Sequence, residues 1–217
     1  MRRSNVLVEL KVKEFINEVD SSKPAPGGGS VSALAATLGV ALAKMVAHLT
    51  FNKKKFLELD DMIRHDYLEN FTILTNIKDE LVKLIDEDTE AFNEFMKALE
   101  LPKNTEEEIM IRKQALKQAT LKAIEVPNKV MHYTVKALET TVKMMPFGSK
   151  NAISDIGVGA LLLYSGLEGA TLNVLINLKG LDDESLIDQY QKTCEINLAK
   201  GKLLKHQILD FVYQGLK

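Results

Sequence analysis

The chain has 217 residues, of which 46% are hydrophobic and only 6% aromatic, a length that suits one domain, or at most two, with a real core. Its 28 basic and 30 acidic residues nearly balance, which excludes a polyanion-binding surface spread over the whole protein and argues against disorder. The single cysteine, Cys194, excludes an intrachain disulfide framework and a thiolate metal cluster, and it fits a reducing cytosol.

The first half of the chain shows helical spacing and almost no strand pattern. An amphipathic helix is predicted over about Val6–Val19. The segment Pro24–Gly29 then interrupts the chain, because proline disfavours helix in the residue before it. Ser30 is predicted to be the N-cap of a second helix, and the most regular helix is expected over about Asp60–Leu101.

The second half continues the helical pattern. Thr105 followed by Glu108 has the spacing of a capping box that opens a helix to about Val126. Pro127 is predicted to sit in the first turn of the next helix, because proline suits that position. A glycine-rich helix over about Ala152–Leu178 and a last helix follow, the latter capped by Asp182 or Asp183. The pattern predicts one all-α domain over residues 1–217, a bundle of about six to eight helices.

Two small-residue runs, Val31–Leu49 and Ile156–Leu178, are long enough to be mistaken for membrane spans. They are dominated by Gly, Ala, Ser and Thr and lack flanking aromatic belts, and no signal peptide is recognised, so a cytoplasmic protein without a membrane span is expected. Glycine inside a helix costs about 1 kcal/mol relative to alanine. The clustered glycines therefore predict close helix packing, a slot for a flat ligand, or both. Glu168 must face solvent, a partner or the ligand.

Asp88 occupies an unusual position in the long helix. Leu74 and Leu81 recur every seven residues, the next step is Asp88, and the one after it is Phe95. Asp88 is therefore predicted to face inward, whereas Asp86 faces outward. Burial raises the pKa of a carboxyl group and suits it to act as a general acid or base near neutral pH. The alternative is a structural aspartate that caps a neighbouring helix or pairs with a lysine.

Other candidate sites have plain structural explanations. The Pro26–Ser30 segment could cradle an anion with free backbone N–H groups or could be a flexible turn, and it matches neither nucleotide-binding glycine motif. Lys53–Lys55 could hold a carboxylate or a phosphate, or could be solvated surface. The four histidines are widely separated, so no metal site is expected. No nucleic-acid groove or Ser-His-Asp arrangement is indicated.

Several segments together resemble the formiminotetrahydrofolate cyclodeaminase/methenyltetrahydrofolate cyclohydrolase family, in order and over nearly the whole chain. The segments that carry the resemblance are Pro24–Ser30, Ile85–Asp88 with Ala91-Phe92, Leu101–Thr105, Ser154-Asp155 and Asn173–Leu178. The resemblance implies an all-helical homodimer or higher homo-oligomer whose folate cleft lies near the subunit contact. It also implies tetrahydrofolate derivatives as partners, with tetrahydrofolate as the substrate carrier and no metal.

The same resemblance implies roles for particular residues. Asp88 would be catalytic, in agreement with its inward position. The residues implied to contact or position the pterin and aminobenzoyl groups are Gly27, Gly28, Gly29, Ser30, Asp155 and Asn173. Lys53 and Lys54 would bind the glutamate tail.

The implied chemistry is closure or opening of a folate ring. In a cyclodeaminase, N10 of 5-formiminotetrahydrofolate attacks the formimino carbon and ammonia leaves; in a cyclohydrolase, water opens 5,10-methenyltetrahydrofolate to the 10-formyl compound. The sequence does not choose between these reactions. A protein that binds folate without turnover and a purely structural helical dimer remain alternatives.

Overall fold

A computed structural model of the protein describes residues 6–217, and none of these residues forms a strand. Three short 3₁₀ segments accompany seven α-helices. The helices are α1 (Val12–Val19), α2 (Gly28–Phe51), α3 (Lys54–Leu57), α4 (Asp61–Glu100), α5 (Glu106–Met144), α6 (Ile153–Leu178) and α7 (Glu184–Gly215). The predicted all-α bundle is confirmed.

The predicted starts of α4, α5 and α7 are confirmed. The carboxylate of Asp60 accepts a hydrogen bond from the Met62 amide at the start of α4. Thr105 and Glu108 form the reciprocal capping box at the start of α5. Asp183 rather than Asp182 caps α7, since its carboxylate accepts the amide of Leu186.

The predicted first helix is wrong in its extent. A 3₁₀ turn over Leu7–Glu9 is separated from α1 by extended backbone at Leu10 and Lys11. The Leu7 amide donates to the Asp86 carboxylate with an N···O distance of 2.5 Å. Asp86 therefore points away from Asp88 as predicted, but this N-terminal turn partly covers it and it does not lie free in solvent.

Pro127 does not begin a helix, which corrects the prediction from its position in the sequence. It is buried inside α5, which continues without a break for 39 residues. A proline in a helix interior lacks the N–H that would bond to the carbonyl four residues earlier. That carbonyl, on Ala123, instead accepts a hydrogen bond from the side-chain amide of Asn177 in α6, with an N···O distance of 2.8 Å. A neighbouring helix thus satisfies the acceptor that the proline leaves free.

The two glycine-rich helices, α2 and α6, run antiparallel at the centre of the bundle, with more extensive mutual contact than any other helix pair. A Cβ added to Gly39 would approach the Gly159 carbonyl oxygen to 2.7 Å, and one added to Gly166 would approach the Ser32 carbonyl oxygen to 2.8 Å. Real Cβ atoms do not tolerate such distances. The glycines therefore allow close backbone approach, as expected of small-residue helix contacts.

Both central helices pass a simple length and hydropathy test for membrane spans, as the sequence runs suggested. In the bundle, however, 56% of the α2 window and 44% of the window containing α6 is buried against other helices. A core helix of a water-soluble protein passes the same test.

Candidate active site

A cavity of about 290 Å³ opens at the end of the bundle where α2 begins and α6 ends. Its walls come from the segment before α2 and from α2, α4, α5 and α6. The lining residues are Pro24, Ala25, Gly27, Gly28, Gly29, Asp88, Phe92, Phe95, Thr120, Ala123, Asn173, Ile176, Asn177 and Gly180. The cavity thus brings together the glycine loop and the inward-facing aspartate, which are far apart in the sequence.

The carboxylate of Asp88 lies directly against the backbone of Gly29. A Cβ on residue 29 would overlap the Asp88 side chain, whose Cγ and both oxygens lie within 2.6 Å of the Cβ position, well inside van der Waals contact distance. A Cβ on residue 28 would make only a tight contact, 3.3 Å from the Asn173 side-chain nitrogen. Gly29 is therefore the steric requirement for bringing a carboxyl from α4 to the start of α2.

Ser30 holds the Asp88 carboxylate. The Ser30 N–H donates to Asp88 Oδ2 at 2.8 Å, and the Ser30 hydroxyl lies 3.1 Å from the same oxygen and 2.8 Å from the Ile85 carbonyl oxygen. The N-cap of α2 is Gly27, so the predicted N-cap role of Ser30 is wrong. Ser30 is the third helical residue, and Asp88 supplies the acceptor that its amide lacks within the helix. Asp88 therefore both lines the cavity with its carboxyl and caps the start of α2, so the functional and the structural interpretations describe the same side chain.

The environment of Asp88 shifts its acidity. Burial raises the pKa of the Asp88 carboxyl above its ordinary value, and the two hydrogen bonds from Ser30 oppose part of that rise. Both of the hydrogen bonds found to the carboxylate within residues 6–217 go to Oδ2. The group is therefore oriented by one oxygen, and it lines the cavity with a raised affinity for a proton.

Two asparagines on α6 form the opposite wall. The amide of Asn173 donates to the Gly169 carbonyl with an N···O distance of 2.8 Å, and Asn177 is anchored to the Ala123 carbonyl at 2.8 Å. The two residues are four apart and lie on the same helix face. Each uses its amide N–H in an internal contact, so a hydrogen bond to the backbone orients each side chain in the cavity wall.

Three residues implied by resemblance lie elsewhere in the chain. Lys53 and Lys54 follow the far end of α2 and line a separate cavity of about 470 Å³. Because α2 has 24 residues, they are about 36 Å along that helix from the glycine loop. Asp155 is in the first turn of α6, about 27 Å along the helix from Asn173. Within one chain these residues do not join Asp88.

The cavity also contains residues that sequence reasoning did not assign. Phe92 is four residues after Asp88 and therefore shares its helix face, and Asn177 stands in the same relation to Asn173. This four-residue spacing in the sequence is enough to predict that Phe92 and Asn177 lie beside Asp88 and Asn173. Phe95 was recognised only as a member of the apolar seam, and Thr120 carries no local signal because its position depends on how α5 packs. Within residues 6–217, no three His, Cys, Asp or Glu side chains cluster closely enough to hold a metal ion.

The all-helical bundle has the fold of a known cyclodeaminase structure. The family model described as formiminotransferase-cyclodeaminase matches residues 11–196. The chain belongs to that family.

Three similar proteins show the range of the family. The chain is 35% identical to methenyltetrahydrofolate cyclohydrolase of Methylorubrum extorquens, over 93% of this chain and 95% of that protein. It is 39% identical to formimidoyltransferase-cyclodeaminase of Gallus gallus, over 82% of this chain but only 32% of the longer protein. Its fold matches the crystal structure of formiminotetrahydrofolate cyclodeaminase from Thermotoga maritima with a TM-score of 0.83 and 28% identity, over 96% of this chain and 98% of that one.

Asn177→Ala tests the bond that replaces the missing Pro127 N–H. The substitution leaves the partly buried Ala123 carbonyl without its side-chain donor; an unsatisfied acceptor costs about 1–3 kcal/mol when fully buried, and the open cavity beside Ala123 places the expected cost near 1 kcal/mol. We expect a loss of that size in the free energy of unfolding, measured by urea denaturation. Asn70→Ala is the matched control, because its amide also donates to a backbone carbonyl but on the exposed face of α4. Equal effects of the two substitutions would contradict the assigned role.

Proposed function

We propose that this protein is a folate one-carbon enzyme that converts 5-formiminotetrahydrofolate to 5,10-methenyltetrahydrofolate and ammonia. Asp88 is the general acid/base. The observation that carries the proposal is the position of this carboxyl, which lines the cavity with a raised pKa and is held by Ser30 at the glycine-rich start of α2. The family membership supplies the substrate class.

The reaction requires one proton to move from N10 to the leaving nitrogen. N10 attacks the formimino carbon, the new N10–C bond closes the five-membered ring, and the C–N bond to the amino group breaks. Asp88 in its ionised form accepts the N10 proton and, once protonated, returns it to the departing amine. One carboxyl near its working pH serves both steps, and the walls formed by α2 and α6 hold the reacting atoms together.

The Gly27–Ser30 segment and Asn173 are proposed to position the pterin and aminobenzoyl groups. Gly27, Gly28, Gly29 and Asn173 line the cavity, and Ser30 contacts Asp88 directly. Phe92 and Phe95 add aromatic surface suited to a flat ring system. Tetrahydrofolate is the carrier of the reacting group, and no chemistry beyond proton transfer is assigned to the protein.

The alternative reaction is that of a methenyltetrahydrofolate cyclohydrolase, and one observation favours it. The relative of that name in Methylorubrum extorquens matches this chain over nearly the full length of both proteins. In that reaction water adds to the methenyl carbon, the bond from that carbon to N5 breaks, and the carbon remains on N10 as a formyl group. Asp88 would accept a proton from the attacking water, and N5 would gain one.

Supplying each substrate separately distinguishes the reactions. Methenyl absorbance rises and ammonia appears with 5-formiminotetrahydrofolate if the enzyme is a cyclodeaminase, whereas absorbance falls with 5,10-methenyltetrahydrofolate if it is a cyclohydrolase. Folate binding without a change in either assay would reject both enzyme proposals and leave a binding protein.

Asp88→Asn is expected to lower kcat by about 10²–10⁴-fold, the usual contribution of a general acid/base. The fold should survive, because an asparagine oxygen still accepts the Ser30 amide. Because folding raises the pKa of Asp88, the protonated carboxyl stabilises the folded state at pH values below its unfolded-state pKa. This stabilisation is lost as the pH rises through the folded-state pKa. The Tm at pH 7 should therefore not fall.

Asp86→Asn is the matched control for that experiment. Asp86 lies two residues earlier in α4, points away from the cavity and contacts only the N-terminal turn among its hydrogen-bond partners in residues 6–217. It should keep normal turnover. Full activity of Asp88→Asn would overturn the mechanism while leaving the family assignment intact.

Ser30→Ala tests how the Asp88 pKa is controlled. The Ser30 hydroxyl favours the ionised carboxyl, so its removal raises the pKa of Asp88 further. The acid limb of the kcat/KM profile, where Asp88 must be ionised to accept a proton, should move to higher pH. Thr89→Val is the control, since Thr89 contacts the Ser30 hydroxyl and not Asp88. An unmoved limb in Ser30→Ala would show that the limb belongs to another group.

The protein is further proposed to be a cytoplasmic homodimer. Exposed apolar side chains form one stripe on each central helix, at helical spacing. They are Val31, Leu38, Met45 and Leu49 on α2, and Val158, Leu161, Leu172 and Ile176 on α6. An exposed apolar surface of this extent is typical of a protein contact. Glu168 is exposed on the same face of α6. A role for Lys53, Lys54 or Asp155 in folate binding would require a second copy, because they lie far from Asp88 in their own chain.

Leu38→Glu combined with Leu172→Glu should convert the dimer to a monomer, because two charges would be buried in the contact without partners. Sedimentation equilibrium measures the change. Leu203→Glu is the control, since Leu203 is 72% exposed on α7 and belongs to neither stripe. A monomeric wild-type protein, or a dimer that survives the double substitution, would contradict the proposed contact.

A further inference from the structure

The hydroxyl of Thr120 is an exception among the buried serine and threonine side chains of residues 6–217. Thr120 lies on α5 and is only 5% exposed. Each of the other buried serines and threonines donates a hydrogen bond to a backbone carbonyl; they are Ser30, Ser32, Thr37, Thr50, Thr134, Thr140, Thr141 and Thr171. The Thr120 hydroxyl has no such bond within the described residues. A buried hydroxyl without a partner is unfavourable and therefore needs an explanation.

The Thr120 hydroxyl faces the cavity that contains Asp88. Thr120 is one of the residues that line this cavity. Within residues 6–217, Arg64 Nε is the only side-chain nitrogen or oxygen that is both fully buried and without a hydrogen-bond partner. The Thr120 oxygen also lacks a partner, so it must keep some surface open to the cavity. Gly180 lies beside it, since a Cβ added to that glycine would be 3.5 Å from Thr120 Oγ1. A molecule in the cavity can therefore reach the hydroxyl.

A second polar atom without a partner lies next to Thr120. The side-chain amide of Asn177 donates to the Ala123 carbonyl with an N···O distance of 2.8 Å. Ala123 is three residues after Thr120, so the two share a face of α5. The carboxamide oxygen of Asn177 accepts no hydrogen bond from residues 6–217, and Asn177 also lines the cavity. The wall between α5 and α6 thus presents a hydroxyl, which both donates and accepts, beside an acceptor that is held in place.

We propose that Thr120 is a substrate-contacting residue, whose hydroxyl acts with the Asn177 carboxamide oxygen to bind the pyrimidine edge of the pteridine ring. This inference rests on the proposed function. The pyrimidine edge carries N–H groups, a ring nitrogen and a carbonyl oxygen in one plane, so donors and acceptors lie side by side. Asn177 accepts from an N–H group of this edge, and Thr120 donates to the neighbouring nitrogen or oxygen.

The position of Asp88 favours this edge over the reacting side of the folate. Asp88 is held by Ser30 at the start of α2, and neither Thr120 nor Asn177 forms a hydrogen bond with it. The pyrimidine edge lies across the pteridine ring from the carbon that carries the N10 side chain, so it can meet a wall other than the one that holds the proton-transfer group. A buried polar wall rejects ligands that leave its groups unpaired. Thr120 and Asn177 therefore make the cavity selective for a polar flat ring.

Equilibrium binding of 5-formyltetrahydrofolate to Thr120→Val tests the contact, because this substitution removes the hydroxyl and nearly keeps the shape of the side chain. The affinity should fall about three- to tenfold, the effect of one uncharged hydrogen bond. Thr120→Ser keeps the hydroxyl and should recover most of the affinity. The Tm of Thr120→Val without ligand should not fall, since no hydrogen bond inside the protein is lost.

Thr134→Val is the matched control. It makes the same change at a buried position of the same helix, where the hydroxyl donates to the Val130 carbonyl and does not line the cavity. This variant should bind 5-formyltetrahydrofolate as the wild-type protein does.

Binding of 6-methyltetrahydropterin identifies the part of the folate that Thr120 contacts. This compound has the pteridine ring but no aminobenzoylglutamate. It should compete with 5-formyltetrahydrofolate for the wild-type protein, and Thr120→Val should weaken its binding by the same factor as that of the whole folate. During turnover, the loss in kcat/KM should come from a higher KM rather than a lower kcat, because a contact away from the reacting carbon binds ground state and transition state alike.

Three results would overturn the proposal. The first is unchanged affinity of Thr120→Val for 5-formyltetrahydrofolate. The second is a loss of affinity accompanied by a lower Tm, which would indicate a structural role. The third is a loss of affinity for the whole folate but not for 6-methyltetrahydropterin, or no competition by that compound in the wild-type protein, which would remove the contact from the pteridine ring. Absence of turnover in the wild-type protein would reject the proposed reaction, whereas the affinity ratios alone decide the role of Thr120.

Discussion

The contact between the Asp88 carboxylate and the first turn of α2 is the constraint around which the site is built. A helix start offers N–H groups without partners inside the helix, and here a carboxyl from another helix accepts one of them, on Ser30. The approach is possible only because residue 29 has no side chain. Burial destabilises the charged form of the carboxyl, and the hydrogen bonds from Ser30 offset part of that destabilisation. The result is a proton-binding group with a defined orientation.

The central helix pair places this contact at one end of the molecule. α2 and α6 approach through glycine and other small residues, so their axes lie close together along most of their length. Their ends, rather than their middles, carry the polar groups of the cavity. The same composition leaves apolar stripes on the outer surface, which explains why a core helix pair satisfies a simple membrane test.

Much of this architecture could be predicted from the sequence. Heptad spacing placed Asp88 among buried leucines, and capping patterns located the starts of α5 and α7. The errors have a common physical cause, which is contact between distant segments. Ser30 looked like a local cap but bonds to α4, and Pro127 looked like a helix start but is compensated by Asn177 from α6. The positions of Lys53, Lys54 and Asp155 depend on helix length and direction, which local patterns do not specify.

The cap on α2 also has a consequence for folding. Ser30 and Asp88 are separated by 58 residues, so the first turn of α2 gains its hydrogen-bond acceptor only after α4 has packed against it. A local cap would let the helix start form on its own, whereas this one ties its formation to a non-local contact, whose loop-closure entropy must be overcome first. The Asp88 carboxyl and the helix start are therefore ordered in one cooperative event, and any opening that separates α4 from α2 dismantles both together.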